Sequence, residues 1–455
     1  MDLSKLKKSA SIEITSLSKS LRDEGKKVYT LSVGDTHFPS PKSLLLNLAE
    51  LPQEATHYSS SQGVLKLREA IADNIVGYNA SEIIVVPGLK QGFYYLLEAL
   101  NLKKAAVLEP AWLGYQATCV LARYDYKGIS TYENEWISKL RNSHFEVIMI
   151  CLPNNPDGSI LTLNQIEEIK EIAESKNAWI ILDIIYERYS FDANIQDLIS
   201  TLKSYSKLVI GNGFSKSHAM TGFRLGYLLI KDPVVLNNSI KIQQNLATCP
   251  STHSQYLLAD DVNPEEINDF HNYYKENRNI VLQIFPEWDN FIPKGGFYYF
   301  VDLSIYGISN GDKFCIDVLN NYGIAMVMGS AYGTGFDSFV RISYSIDRDK
   351  QIEEFGKQLQ KQLQTMMAER EAKVNDYMEN EATMSEIIAQ TKAEEIQMLD
   401  QRIQAFQQNA QQSLAKKEGE AYQPILDKAR KAIEEVAKEN DFTYIFDVSA
   451  GALLY

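Results

Sequence analysis

Apolar residues fall into two textures along this chain. From about residue 25 to 230, short near-continuous apolar runs alternate with stretches of helical spacing. EIIVVPG (82–88), AAVLEP (105–110), FEVIMICLP (145–153), AWIILDIIY (178–186) and KLVIGNGFSK (207–216) predict strands, most of them running out into a turn or loop. KQGFYYLLEAL (90–100) and LNQIEEIKEIAESKN (163–177) space their apolar residues three and four apart and predict helices. Strands apolar on both faces, separated by helices, indicate the α/β class: a mostly parallel sheet with helices on both faces. Polar residues gather just after these strands, where such sheets form ligand sites. Residues from about 265 to 350 read differently. A helix (265–285) precedes GGFYYFVDLS (295–304), IAMVMG (324–329) and FVRISYS (339–345), an α+β pattern that predicts a smaller second domain.

The second texture starts near residue 351. Ile396, Leu399, Ile403, Phe406 and Ala410 recur in steps of three and four among Gln, Glu and Lys, which predicts a coiled-coil seam. Leu359, Leu363, Met366, Val374, Tyr377 and Met384 keep a looser version of it. After Pro424 come a further helix and two short strand candidates, FTYIFD (442–447) and ALLY (452–455). Gly and Pro are both absent between Gly356 and Gly419, unlike the loop-rich sequence before them. These breaks predict an N-terminal arm with part of the small domain (1–35), a large domain (36–262), a small α+β domain (263–350) and a helical tail (351–455).

Composition narrows the function classes. Of 455 residues, 45 are Lys or Arg and 59 Asp or Glu, a net charge of −14, which argues against nucleic acid or an anionic membrane surface as partner. The amphipathic start lacks the apolar core of a signal peptide, and no run of about 18 apolar residues predicts a membrane span. Cys119, Cys151, Cys249 and Cys315 are scattered and read as reduced thiols, and the six dispersed histidines predict no metal site. Together these indicate a cytoplasmic protein.

Four segments suggest chemistry. Lys216 follows an apolar strand and sits among small and hydroxyl residues, with Arg224 eight positions on. A lysine desolvated near a cation has the lowered pKa that Schiff-base chemistry requires, whereas most lone lysines are merely solvated. The fork of Arg224 suits a phosphate. Asp183 interrupts an apolar run and needs a partner; a helix cap, a local ion pair or a pyridinium nitrogen would each serve. Tyr186 lies three residues further. Asn155, in CLPNNPDG (151–158), is presented by a turn at a strand end. In PGLKQG (87–92) the backbone N–H groups of Gly88, Leu89 and Lys90 would face an anion at a strand–helix turn.

In order along the chain, LSVGDTHFPSP (31–41), THYSSSQGVLKLREAIA (56–72), PGLKQG (87–92), LEPAWLGY (108–115), PNNPDG (153–158), DIIY (183–186), GFSKSHAMTGFRLGY (213–227), PKGGFYYF (293–300) and FVRIS (339–343) resemble the class I/II aminotransferases that use pyridoxal 5′-phosphate on the type-I transferase fold. The resemblance spans about residues 10–350. It implies that Lys216 holds the cofactor as a Schiff base and shuttles the proton, and that Asp183 keeps the pyridine nitrogen protonated. It implies that Tyr186 and Asn155 address the ring hydroxyl and that Trp112 stacks on the ring. Gly88, Leu89, Lys90, Ser215 and Arg224 would cradle the phosphate, with Tyr58 reaching in from a second subunit of a homodimer. Arg341 would pair with the substrate α-carboxylate, helped by Gly34 and Asn155. The substrates implied are an amino acid and a 2-oxo acid. Asp157, Ile184, Gly213, Phe223 and Met328 depart from the family's usual residues, and Asp157 and His37 are candidates for altering substrate preference.

The last hundred residues, above all PILDKARKAIEEVAKENDFTYIFD (424–447), resemble the Skp/OmpH family of trimeric periplasmic chaperones, with that family's first strand missing. Two origins fit the join near residues 346–356: a fusion adding an oligomerisation or client-holding arm, or the joining of two unrelated reading frames. The second is favoured, because the tail lacks a compartment signal. The rival functions are a PLP-dependent lyase on the same scaffold and a chaperone or self-associating scaffold in which the tail is the working part.

Overall fold

The computed structural model describes residue 6, residues 9–347, 370–380, 384, 388–401, 403–404, 446–447 and 452–453. The chain forms two compact units, Met1–Ile346 with Ala429–Tyr455, and Asp347–Lys428.

The first unit is organised around a seven-stranded sheet. Its strands lie in the order Ile83–Val86, Gly226–Ile230, Leu208–Gly213, Trp179–Asp183, Val147–Cys151, Lys104–Glu109, Asp125–Ser130. All but Gly226–Ile230 run the same way. That reversed strand was not among the predicted elements, nor was the edge strand Asp125–Ser130, whose outward positions are exposed and polar. All five predicted strands form; four lie within their predicted spans, and Lys104–Glu109 begins one residue before its own. The central ones are buried along their whole length, as expected where helices cover both faces. Each fully buried Ile or Leu of Trp179–Asp183 contributes roughly 1.5–3 kcal/mol of apolar burial. Asp183 sits at the end of that strand, and the register sets it beside Cys151 on one side and Gly211 on the other.

The helix Leu163–Lys176 shows why the spacing rule works. Thr162 and Gln165 form a reciprocal N-terminal cap, and Asn177 ends the helix in the left-handed region at φ 54°. Ile166, Ile169, Ile172 and Ala173 make its buried face.

A three-stranded antiparallel sheet orders Val327–Met328, Phe339–Ser343 and Tyr298–Asp302. The single strand predicted at 324–329 is divided. Ile324–Ala325 instead pairs in parallel with Tyr29–Thr30. The N-terminal helix covers Ala10–Asp23, buries Ile14 and Leu21, and packs them with Leu319 and Ala325.

In the second unit residues 370–380 and 388–401 are helical. Arg370 pairs with Asp400, Lys373 with Glu395 at 2.7 Å, and Asp376 with Lys392. Partner numbers fall along one helix as they rise along the other, the pattern of an antiparallel pair. Leu399 and Ile403 of the predicted seam are buried. Leu359, Leu363, Met366, Phe406, Ala410 and the helix predicted after Pro424 lie outside the described residues. Phe446–Asp447 and Ala452–Leu453, within the two strand candidates, pair antiparallel. Among the described residues no helix is long and apolar enough to cross a membrane.

Candidate active site

The C-terminal ends of the parallel strands open into a cavity of about 510 Å³. Gly34, Gly88, Leu89, Lys90, Trp112, Asn155, Asp183, Tyr186, Ser215, Lys216, Arg224 and Arg341 all line it, though they come from segments spread over three hundred residues. Only Tyr58 among the predicted site residues is elsewhere. It is 85% exposed on this chain.

Lys216 stands on the short helical turn Phe214–Ser217 that follows Leu208–Gly213. Its ammonium donates to the Gly34 carbonyl. Burial pushes the amine down to about 8; Arg341 and Arg224 add to that, and Asp35 opposes it. The same burial acts in the opposite sense on Asp183, which is pushed up to about 6 although two donors hold its charge. The Tyr115 hydroxyl donates to Oδ2 at 2.7 Å, and the Ile185 N–H donates to Oδ1 at 3.0 Å. Tyr115 was not among the site residues expected from sequence. Its place one helical turn beyond Trp112 was the signal available, and in the structure the two rings meet edge-on at 5.3 Å. Gly114 leaves that space open, since a Cβ there would come within 2.4 Å of the indole.

At one end of the cavity the groups suit an anion. Gly88 is the N-cap of the helix Leu89–Leu100 and takes φ +83°, which a side chain rarely adopts. A Cβ on Gly88 would come 2.7 Å from the Arg224 guanidinium, so the glycine keeps the cradle open. Arg224 itself has φ 56° and is held by donation to the Thr221 carbonyl at 2.9 Å, a strained backbone of the kind found at binding sites. The Lys90 ammonium sits 5.3 Å from the Trp112 ring centre. Gly213 has no room for a side chain, because its Cβ would lie 2.8 Å from Gly226 on the neighbouring strand.

At the other end Arg341, 3% exposed, donates to the Asn155 side-chain oxygen at 3.1 Å and to the Ser32 carbonyl at 2.7 Å. Its Nε finds no partner among the described residues. The Asn155 amide donates to the Tyr186 hydroxyl at 3.2 Å. Tyr298 completes the group and was not singled out from sequence. Its hydroxyl is 3.1 Å from that of Tyr186, and the Arg341 guanidinium lies 4.2 Å from its ring centre. The alternation of the strand Tyr298–Asp302 places it on the same face as Phe300.

Two candidate specificity residues lie outside this cavity's lining. Asp157 is buried and its Oδ1 accepts from Asn154 and Ser159, so it braces the turn that presents Asn155. His37 packs against Phe38 and Tyr273.

A strained anion cradle, a desolvated amine, a buried carboxylate of raised pKa and a buried arginine with a free N–H share one cavity. That donor set fits pyridoxal 5′-phosphate, a dianionic group with an aldehyde and a ring nitrogen. The chain belongs to the family described as aminotransferase class I and II, whose sequence model matches residues 26–359. It is a PLP-dependent enzyme that transfers an amino group between an amino acid and a 2-oxo acid. An aromatic-amino-acid aminotransferase from Thermococcus litoralis is 30% identical over 359 residues, 74% of this chain and 92% of that protein. An aspartate aminotransferase from Pyrococcus abyssi is 30% identical over 361 residues, with the same coverage. The solved aspartate aminotransferase of Thermotoga maritima superposes with a TM-score of 0.70 at 26% identity, covering 76% of this chain and 94% of that one. A second model, outer membrane protein (OmpH-like), matches residues 342–455, and the two matches overlap across the predicted join.

Proposed function

We propose that the residues gathered in this cavity carry the transamination, with Lys216 as its catalytic base. When bound, pyridoxal phosphate supplies an aldehyde and an electron-withdrawing ring. Lys216 holds the group covalently and afterwards moves the proton at the substrate α-carbon. Its amine is depressed to about 8, so a far larger share of it is neutral near physiological pH than for an ordinary lysine. Asp183 holds a proton at the ring nitrogen. Tyr115 orients that carboxylate by hydrogen bonding to it. Tyr186 and Asn155 address the ring hydroxyl, Trp112 covers the ring face, and the Gly88–Lys90 turn with Ser215 and Arg224 holds the phosphate. Arg341, supported by Asn155 and the backbone near Gly34, binds the α-carboxylate. The observation that carries this reading is the convergence of Lys216, Asp183 and Arg341 on one cavity.

The exposed Tyr58 supports a homodimer in which it reaches the neighbouring subunit's phosphate. The four free cysteines, three of them buried, support a cytoplasmic setting. We retain the boundaries 1–35, 36–262, 263–350 and 351–455 as the proposed domain division, and self-association as the proposed property of the tail. The names of the relatives make aspartate and the aromatic amino acids the donors to try first. Mixing holoenzyme with single amino acids, without an acceptor, tests the assignment. Stoichiometric 2-oxo acid with pyridoxamine phosphate supports it; ammonia and pyruvate without pyridoxamine phosphate would show a lyase.

A further inference from the structure

We propose that Glu109 is a positioning residue for substrate binding. Its carboxylate pins the segment at Tyr332–Thr334 to the strand end that leads into Trp112, and so keeps Tyr332 packed beside Arg341. The proposal rests on the reading of Arg341 as the substrate-carboxylate receptor.

Glu109 ends the strand Lys104–Glu109 and is 5% exposed. A carboxylate removed from water persists only when its oxygens are hydrogen-bonded. The Tyr126 hydroxyl donates to Oε1 at 2.7 Å, and the Thr334 N–H donates to Oε2 at 3.2 Å. Two glycines leave room for the group. A Cβ on Gly128 would lie 2.3 Å from the carboxylate and one on Gly333 would lie 2.6 Å from it. The backbone reinforces the link. The Ala111 N–H donates to the Tyr332 carbonyl at 2.8 Å, and the Thr131 N–H donates to the Glu109 carbonyl at 2.8 Å.

The two segments joined here form two walls of the cavity. On one side Trp112 follows Glu109 by three residues. On the other, Ala331 lines the cavity and the buried Tyr332 ring centre is 5.3 Å from the Arg341 guanidinium. Glu109 lies outside the lining of that cavity, so its effect passes through the segment it holds. Because Arg341 would bind the α-carboxylate equally in substrate and transition state, loosening Tyr332 weakens binding uniformly. It raises KM and leaves kcat alone.

The side-chain chemistry supplies a discriminating pair of variants. In Glu109→Gln the amide oxygen still accepts from Thr334, and the amide N–H donates to Tyr126, whose hydroxyl can accept as well as donate. Glu109→Asp is one methylene too short to keep both bonds. Steady-state kinetics on the holoenzyme, with the donor found by the single-turnover panel, is expected to show Glu109→Gln within about twofold of the parent. Glu109→Asp is expected to raise KM about tenfold with kcat within about twofold, the loss of roughly one hydrogen bond. Gly333→Ala, which drives a Cβ against the same carboxylate, provides a second variant with the same expected direction. Unchanged KM in both Glu109→Asp and Gly333→Ala, with only the melting temperature lowered, would overturn the proposal. So would a Glu109→Gln variant as impaired as Glu109→Asp. Arg341→Lys run alongside separates the two levels. If it leaves KM unchanged, the reading of Arg341 fails and the proposal with it. If it raises KM while both pin variants do not, only the role of Glu109 fails.

Discussion

Replacing Asp183 by Asn changes stability and catalysis in opposite directions. Asp183 is buried, and burial lifts its carboxyl from an ordinary 3.8 to about 6 in the cofactor-free chain. The unfolded chain therefore gives up this proton before the folded chain does as pH rises. Folded protein binds more protons than unfolded between the two values, so stability falls across that window as pH increases. At about 1.4 kcal/mol per pH unit, a lift from 3.8 to about 6 corresponds to about 3 kcal/mol lost by neutral pH. Asp183→Asn removes that pH dependence while keeping the size of the side chain and an oxygen able to accept from Tyr115. Urea unfolding of apoprotein at pH 4.5 and 7.5, for parent and variant, isolates the effect. Because pH 4.5 already lies inside the window, the advantage of the variant over the parent is expected to grow by about 2 kcal/mol from the lower pH to the higher. The same variant, loaded with cofactor, is expected to lose most of its turnover, because an amide cannot keep the ring nitrogen protonated. An advantage that stays constant with pH would refute the reasoning about burial. Full turnover would refute the role given to the carboxylate.

Other expected outcomes follow from the same geometry. Gly88→Ala forces a Cβ to within 2.7 Å of Arg224 at φ +83°, and equilibrium titration should show cofactor affinity falling about tenfold or more. Tyr115→Phe removes one of two donors to Asp183; kcat should fall about tenfold with KM for the donor little changed. The rate at which apoprotein takes up cofactor should rise with pH through about 8 and level off above it, since only the neutral Lys216 amine attacks an aldehyde. A flat or falling stopped-flow profile would contradict that. Tyr58→Phe should weaken cofactor binding in a dimer seen by sedimentation, whereas a fully active monomer would contradict the proposed shared site.

Much of this site was legible in the sequence. The strands at 145–153, 178–186 and 207–216 declared themselves by apolar runs, and residues at or just past the C-terminal ends of the strands that form there, Asn155, Asp183 and Lys216, line the cavity. The strand Gly226–Ile230 escaped because its apolar residues directly follow Arg224 and were read as part of the chemistry. Asp125–Ser130 escaped because an edge strand needs little apolar surface on its open side. For Asp183 the sequence left a cap, an ion pair and a ring nitrogen open. The place of Tyr115 one turn beyond Trp112 hinted at the cavity, but its donation to Asp183 was hidden because that contact joins residues 68 positions apart. Tyr298 was equally hidden: the motif around it was visible, but its approach to Tyr186 and Arg341 depends on how the two sheets meet. Asp157 shows what the structure adds to such a reading. An unusual residue beside a functional one suggested specificity, and the structure gives it the turn to brace.

The proposed chemistry depends above all on which lysine carries the cofactor. Borohydride reduction of the holoenzyme fixes that link permanently, and peptide mass spectrometry then locates it. The expected result is a single pyridoxyl group, on the peptide containing Lys216, and loss of both the label and the visible cofactor band in Lys216→Ala. A label on Lys90 or any other lysine, or a Lys216→Ala protein that keeps the band and full turnover, would contradict it.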